Sequence, residues 1–160
     1  MKKILLLAIL LFGTIQFTVA QNTISKLKFE EAEELFTNGK YLPTLTKLGE
    51  VEKILNTTNP KILHLKIVAG FKIIEGIPKT IKTESILYVY NILEDIKKNS
   101  NKYLIEYENL PDNDEKYREI YKISEKIKSY PNTEDAFKAW ARPLLQQEYA
   151  RIIQLILRVA

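Results

Sequence analysis

Apolar side chains return at three- and four-residue steps along almost the whole chain, and no stretch alternates apolar with polar residues. The first spacing paints one stripe on an α-helix; alternation would be needed to paint one face of a strand. The pattern therefore predicts an all-α fold. Glycine is scarce after residue 20, limited to Gly39, Gly49, Gly70 and Gly76, and the breaks between periodic stretches are short. No flexible linker divides the sequence, so residues 21–160 are expected to form a single helical domain of about six or seven helices.

The first helix is expected from about Ser25 to Asn38, with Leu27, Ala32, Leu35 and Phe36 on its apolar face and Phe29 beside it. Gly39 is placed to end it in a left-handed conformation. Tyr41-Leu42-Pro43 opens the second helix, which continues through Leu45, Leu48, Val51 and Leu55. Asn59 reads as an N-cap and Pro60 as a first helical residue. The third helix, about Pro60 to Glu75, is apolar nearly all round and is expected to be central and sandwiched. A fourth begins near Thr83 and carries Ile86, Tyr90, Leu93, Ile96, Ser100 and Tyr103; Lys98-Asn99-Ser100-Asn101 leaves one helix or two open. Asp114 is expected to cap a fifth with Tyr117, Ile120, Tyr121, Ser124 and Ile127 inward. Beyond Thr133 lie a short helix and a last one starting at Pro143, with Leu144, Leu145, Tyr149, Ile152, Ile153 and Ile156 apolar.

Residues 1–20 are of another kind. Met1-Lys2-Lys3 is a short positive segment, Ile4 to Phe12 an apolar run, and Thr18-Val19-Ala20 a small-x-small site. This is the pattern of a secretory signal cleaved between Ala20 and Gln21. With Lys2 and Lys3 removed, the mature chain carries 22 basic against 20 acidic residues, a net of +2. The chain has no Cys, which excludes a lipoprotein anchor, a disulfide scaffold and a cysteine-based zinc site. The expected localisation is exported, periplasmic or secreted, with no membrane span left after cleavage. Intact mass of the protein from the envelope fraction tests this directly: the expected species begins at Gln21, and one retaining residues 1–20 refutes it.

One stretch resembles a known family. Ala32-x-x-Leu35-x-x-x-Gly39-x-Tyr41-x-x-x-Leu45-x-x-Leu48-x-x-Val51 resembles a single tetratricopeptide repeat, a helix–turn–helix unit of 34 residues. Ala32 matches the small packing residue, Gly39 to Tyr41 the turn, and Pro60 the closing proline. Ala69 and Gly70 stand as small packing residues in a degenerate second unit. The pattern departs at Thr44, where Ala is usual, and the stretch from Gly39 to Pro60 is about one turn too long. The resemblance implies a right-handed array of antiparallel helix pairs over about residues 25–99, with a helical extension over about 100–160. The later segments Asp114 to Tyr121 and Ser129 to Thr133 look like the helical continuation in secreted bacterial proteins with tetratricopeptide-like N-termini.

The chemistry-bearing residues are few. His64 is the only histidine, and it lies on the thin polar stripe of the third helix. A lone His with no Cys cannot assemble a His-based metal site, and no nucleophile elbow accompanies it. Glu30, Glu31, Glu33 and Glu34 read as a solvated face near a helix N-terminus, where the dipole favours acids. Asp112-Asn113-Asp114-Glu115 has calcium-loop composition without the central Gly or distal Glu. Most of the nine Tyr fall on apolar helical faces and the mature charge is small, which argues against a nucleic-acid platform. No cofactor fingerprint is present.

The resemblance implies a non-catalytic interaction module that binds a protein or peptide partner on a shallow groove. Phe29, Glu33, Lys61 and His64 are the candidate groove residues. The alternative is the shortened N-terminal helical part of an exported multidomain enzyme.

Overall fold

A computed structural model describes residues 22–77 and 86–159. The signal segment with Ala20 and Gln21, and the start of the fourth helix near Thr83, lie outside the described residues. Among those described there are six helices and no strand: α1 (22–37), α2 (Tyr41–Leu55), α3 (Pro60–Glu75), α4 (Ile86–Glu106), α5 (Asp114–Ile127) and α6 (Glu134–Val159). The all-α architecture is thus the one the periodicity predicts. None of these helices is long and apolar enough to cross a membrane. Contacts divide the chain into two units, with the boundary inside α3 between Ile62 and Leu63.

In the first unit, α1 ends at Gly39, whose φ is +71°. The Gly39 N–H donates to the Phe36 carbonyl and the Lys40 N–H to the Leu35 carbonyl, both at 2.9 Å. This pair of bonds is the Schellman arrangement, which satisfies carbonyls the helix would leave open. The chain reverses and Tyr41 starts α2, its ring 5.5 Å from that of Phe36. Two cross-helix ion pairs follow, Glu31 with Lys47 at 3.0 Å and Lys28 with Glu50 at 2.5 Å. Partners descend α1 as they ascend α2, so the pair is antiparallel. Ala32, Thr44, Leu48 and Val51 are buried. The buried Thr44 has no orphaned hydroxyl, because its Oγ1 donates to the Lys40 carbonyl at 2.9 Å. Asn59 caps α3 as predicted: its Oδ1 accepts the Ile62 N–H at 3.0 Å.

The second unit is built around α4. A Cβ on Gly70 of α3 would stand 3.0 Å from Ile96 Cγ1 and 3.3 Å from Ile92 Cγ2, so a bare Cα is what admits the close approach. Lower on α3, His64 faces Tyr103; the register therefore runs antiparallel. Contacts from α3 to α5 pair His64 with Glu119 and Glu75 with Lys126. Both numbers rise together, so α3 and α5 are parallel and flank α4 in an up–down–up set. Ile62, Leu63, Leu65, Ile67, Val68, Ala69, Phe71, Ile73 and Ile74 are all buried, which accounts for the apolar girth of α3. The Lys126 ammonium lies 5.3 Å from the Phe71 ring centroid.

Of the two alternatives left open for the fourth helix, the single element is the one observed, with Ser100 fully buried inside it. Four expectations need correction. Asn113, not Asp114, holds the cap position of α5; Asp114 and Glu115 sit in its first turn. In α5, Tyr121 is exposed and Ile123 takes the buried place. The two expected C-terminal helices are one, α6, with Pro143 inside it. Pro143 and Ala139, whose carbonyl the ring leaves without an N–H, both face solvent, where water can take the bond. Finally, Leu27 is exposed, and of the nine Tyr only Tyr103 is buried; a phenol keeps its hydroxyl wet unless a partner is built for it.

The two glycines of the first unit separate conformational need from mere presence. Gly39 needs its positive φ, whereas Gly49 sits inside α2 with open space around its Cα. Gly39→Ala is expected to destabilise by about 1–2 kcal/mol and Gly49→Ala to stabilise by about 0.5–1 kcal/mol. Urea unfolding of the two variants checks the opposite signs.

Candidate functional site

The expected packing residues fall where helices turn or meet. Ala32 is fully buried in α1, Tyr41 and Pro60 begin their helices, and Ala69 and Gly70 are buried on α3. Of the candidate groove residues, Phe29 is half-buried, while Glu33 and Lys61 are exposed. These three belong to the first unit and His64 to the second.

His64 is the centre of a polar cluster that joins α3, α4 and α5. Its Nε2 lies 2.7 Å from Glu119 Oε2, and its side chain is only 18% exposed. The ring also faces Tyr103, with centroids 6.3 Å apart. Burial holds the His64 pKa below its usual 6.5; the Glu119 carboxylate pulls it up and Lys116 adds to the depression. Desolvation wins, so the ring is a neutral imidazole at neutral pH. A neutral ring beside a carboxylate donates its Nε2–H.

Tyr103 is fully buried, and its hydroxyl donates to Asn113 Oδ1. Burial raises the Tyr103 pKa above 10, against a smaller lowering from Asn113. The Asn113 amide nitrogen in turn donates to the Tyr107 carbonyl at 2.9 Å. Both ends of one buried amide are thus spent on fixing the connector of residues 107–113. Asp112 beside it takes φ +56°, in the left-handed region, which Asp and Asn accept more readily than other residues.

Outside this cluster the connector and α5 frame a cleft of about 330 Å³, lined by Glu108, Asp114, Tyr117, Arg118 and Tyr121. The Tyr117 hydroxyl donates to the Leu104 carbonyl at 3.2 Å, so it is the ring that this residue offers. Glu108, Asp114 and Arg118 enter no ion pair within 4.0 Å among the described residues. No group of three or more His, Cys, Asp or Glu side chains is placed to hold a metal ion there or elsewhere among them.

A third surface lies on α6. Phe137, Ala141 and Leu145 form its buried stripe. Helical steps carry that stripe onto Tyr149, Ile152 and Ile153, which are 46%, 41% and 56% exposed. Leu155 and Leu157 are exposed as well. No protein-family model matches the chain, and no curated protein or solved structure matches it.

Sequence reasoning singled out His64 but not its partners. Glu119 is 55 residues away, so no local spacing announces the pair. Asn113 carried a visible signal, an Asn just before an acidic helix start, but that signal reads as a cap rather than as an inward-facing amide.

The sign of the His64 effect follows from its environment. Its folded pKa is below the unfolded value, so the unfolded chain binds the proton more tightly. The contribution is complete above about pH 6.5 and is lost as pH falls through the folded value. His64→Gln keeps an N–H for Glu119 without titrating. Thermal melts between about pH 7.5 and pH 5 are expected to show the parent losing more stability than the variant; equal losses refute the buried neutral ring.

Proposed function

We propose that this chain is an exported, tetratricopeptide-like interaction module that binds a protein or peptide partner through surface contact and carries out no bond-making step. Two sequence features support the reading: the charged-then-apolar segment ending at Thr18-Val19-Ala20, and the repeat-like run from Ala32 to Val51. The observation that carries it is the apolar face of α6 at Tyr149, Ile152 and Ile153, exposed in continuity with the buried stripe of Phe137, Ala141 and Leu145.

Exposed apolar residues scattered singly need no explanation, whereas a contiguous run on one element marks a contact surface. Burying a Leu or Ile side chain fully is worth about 1.5–3 kcal/mol. Tyr149, Ile152 and Ile153 are each roughly half covered already by their own helix and neighbours, so a partner gains on the order of half that from each. That sum offsets only part of the cost of association, so the face is one patch of a larger contact.

The surface variant Ile153→Asp tests the reading, because it places a charge on the face without touching the buried stripe. Crosslinking capture from an envelope extract is expected to retain a discrete partner with the parent protein and to lose at least about tenfold of it with the variant. Equal capture by both moves the contact away from α6. Absence of any specifically retained partner ends the interaction reading.

A further inference from the structure

The cleft beside the α4–α5 connector has walls that differ in chemistry from the α6 face, and it stands independently of what binds there. We propose that this cleft is a binding site for a basic amino-acid residue, lysine or arginine, presented in a peptide.

Its volume of about 330 Å³ falls at the lower end of small-ligand sites and suits one long side chain with its adjoining main chain. Tyr117 and Tyr121 are one turn apart on α5 and so share a face. Tyr121 is 53% exposed, and Tyr117 has its hydroxyl committed to the Leu104 carbonyl. What the pair presents is therefore ring surface, which attracts cations and covers aliphatic stems. Glu108 and Asp114 supply two carboxylates to the same cleft.

Arg118 decides between ligand classes. With two carboxylates against one guanidinium, the cleft carries about one net negative charge, which disfavours an anion. The guanidinium equally disfavours a bare divalent metal, whose sites collect six or more oxygen ligands without a neighbouring cation. A basic residue within a peptide satisfies both signs. Its side-chain cation meets Glu108 and Asp114 over the tyrosine rings, and its main-chain carbonyl accepts from Arg118.

The site is set in place before any ligand arrives. Glu108 and Asp114 flank Tyr107 and Asn113, and Asn113 is pinned at both ends of its amide, to Tyr103 and to the Tyr107 carbonyl. Asn113 itself is buried. The connector thus spends no further ordering entropy when a ligand enters, and that favours affinity from a small number of contacts.

Amide-resolved NMR titration of the isotope-labelled protein tests the assignment. The probes are three capped tripeptides, Gly-Lys-Gly, Gly-Arg-Gly and Gly-Glu-Gly. Saturable shifts at Glu108, Tyr117 and Tyr121 are expected with either basic peptide and not with the acidic one. Glu108→Gln is expected to weaken binding roughly five-fold, and Asp114→Asn similarly. Because Asp114 also sits in the first turn of α5, the connector variant Glu108→Gln is the decisive one. Ile153→Asp is expected to bind the basic peptides unchanged, which separates this site from the α6 reading. Stronger shifts with the acidic peptide, no shifts at the cleft, or basic-peptide binding that survives Glu108→Gln would each overturn the proposal.

Discussion

Everything in the larger unit depends on how near α3 comes to α4 at Gly70. One hydrogen in place of a side chain lets the Ile92 and Ile96 methyl and methylene groups fill the space a Cβ would take. Packing at that distance brings α3 from Leu63 onward within reach of its neighbours in this unit. Dispersion contacts are small singly and large in number, and α3 collects them from α4 and α5. The parallel contacts of α3 with α5 accompany that close approach, because α5 also packs on α4 and α3 lies near enough to meet it. The His64–Glu119 bond and the placement of Lys126 over Phe71 are two such contacts, at separate levels of the set.

The polar groups are arranged around that apolar framework in a consistent way. A buried phenol needs a partner, and Asn113 supplies it. An amide carries donors as well as an acceptor, and the Tyr107 carbonyl takes one of them. The consequence is a connector whose shape is dictated from the interior, although its charged residues face outward. In the first unit the logic is electrostatic instead. Lys47 lies between Glu31 and Glu50, which raise its pKa by hydrogen bonding, and Glu50 is lowered by Lys28 and Lys47. Those pairs remain partly open to solvent, and they set the register of α1 on α2 more than they stabilise it.

Much of this was legible in the residues. Helix class, the left-handed Gly39, the Asn59 cap and the buried girth of α3 each depend on neighbours within a turn or two, and a sequence displays those directly. The misreadings share a cause. Pro143 reads as a helix start because the ring breaks a helix that is packed on all sides; on a solvent-facing position it is tolerated. Asp114 reads as the cap because local spacing does not show that Asn113 is held by Tyr103, ten residues back. Spacing alone puts Tyr121 inward, whereas the buried place goes to Ile123. The cleft and the His64–Glu119 pair join residues brought together by tertiary packing, and nothing in their spacing marks them.

Pro143 divides α6 into halves with different fates. Before it, Phe137 packs its ring against Tyr90 and Trp140, and tertiary contact holds the helix. After it, the helix depends increasingly on its own ladder, over a length at which an isolated helix in water is marginal. Amide hydrogen exchange along α6 would therefore read as a gradient, slow near Phe137 and Ala141 and approaching free-peptide rates toward Val159. A molecule that covers the distal face would have to supply ordering free energy as well as contact. Binding there would carry a heat-capacity change larger than its interface implies, as the coil-to-helix shift is drawn into the same event.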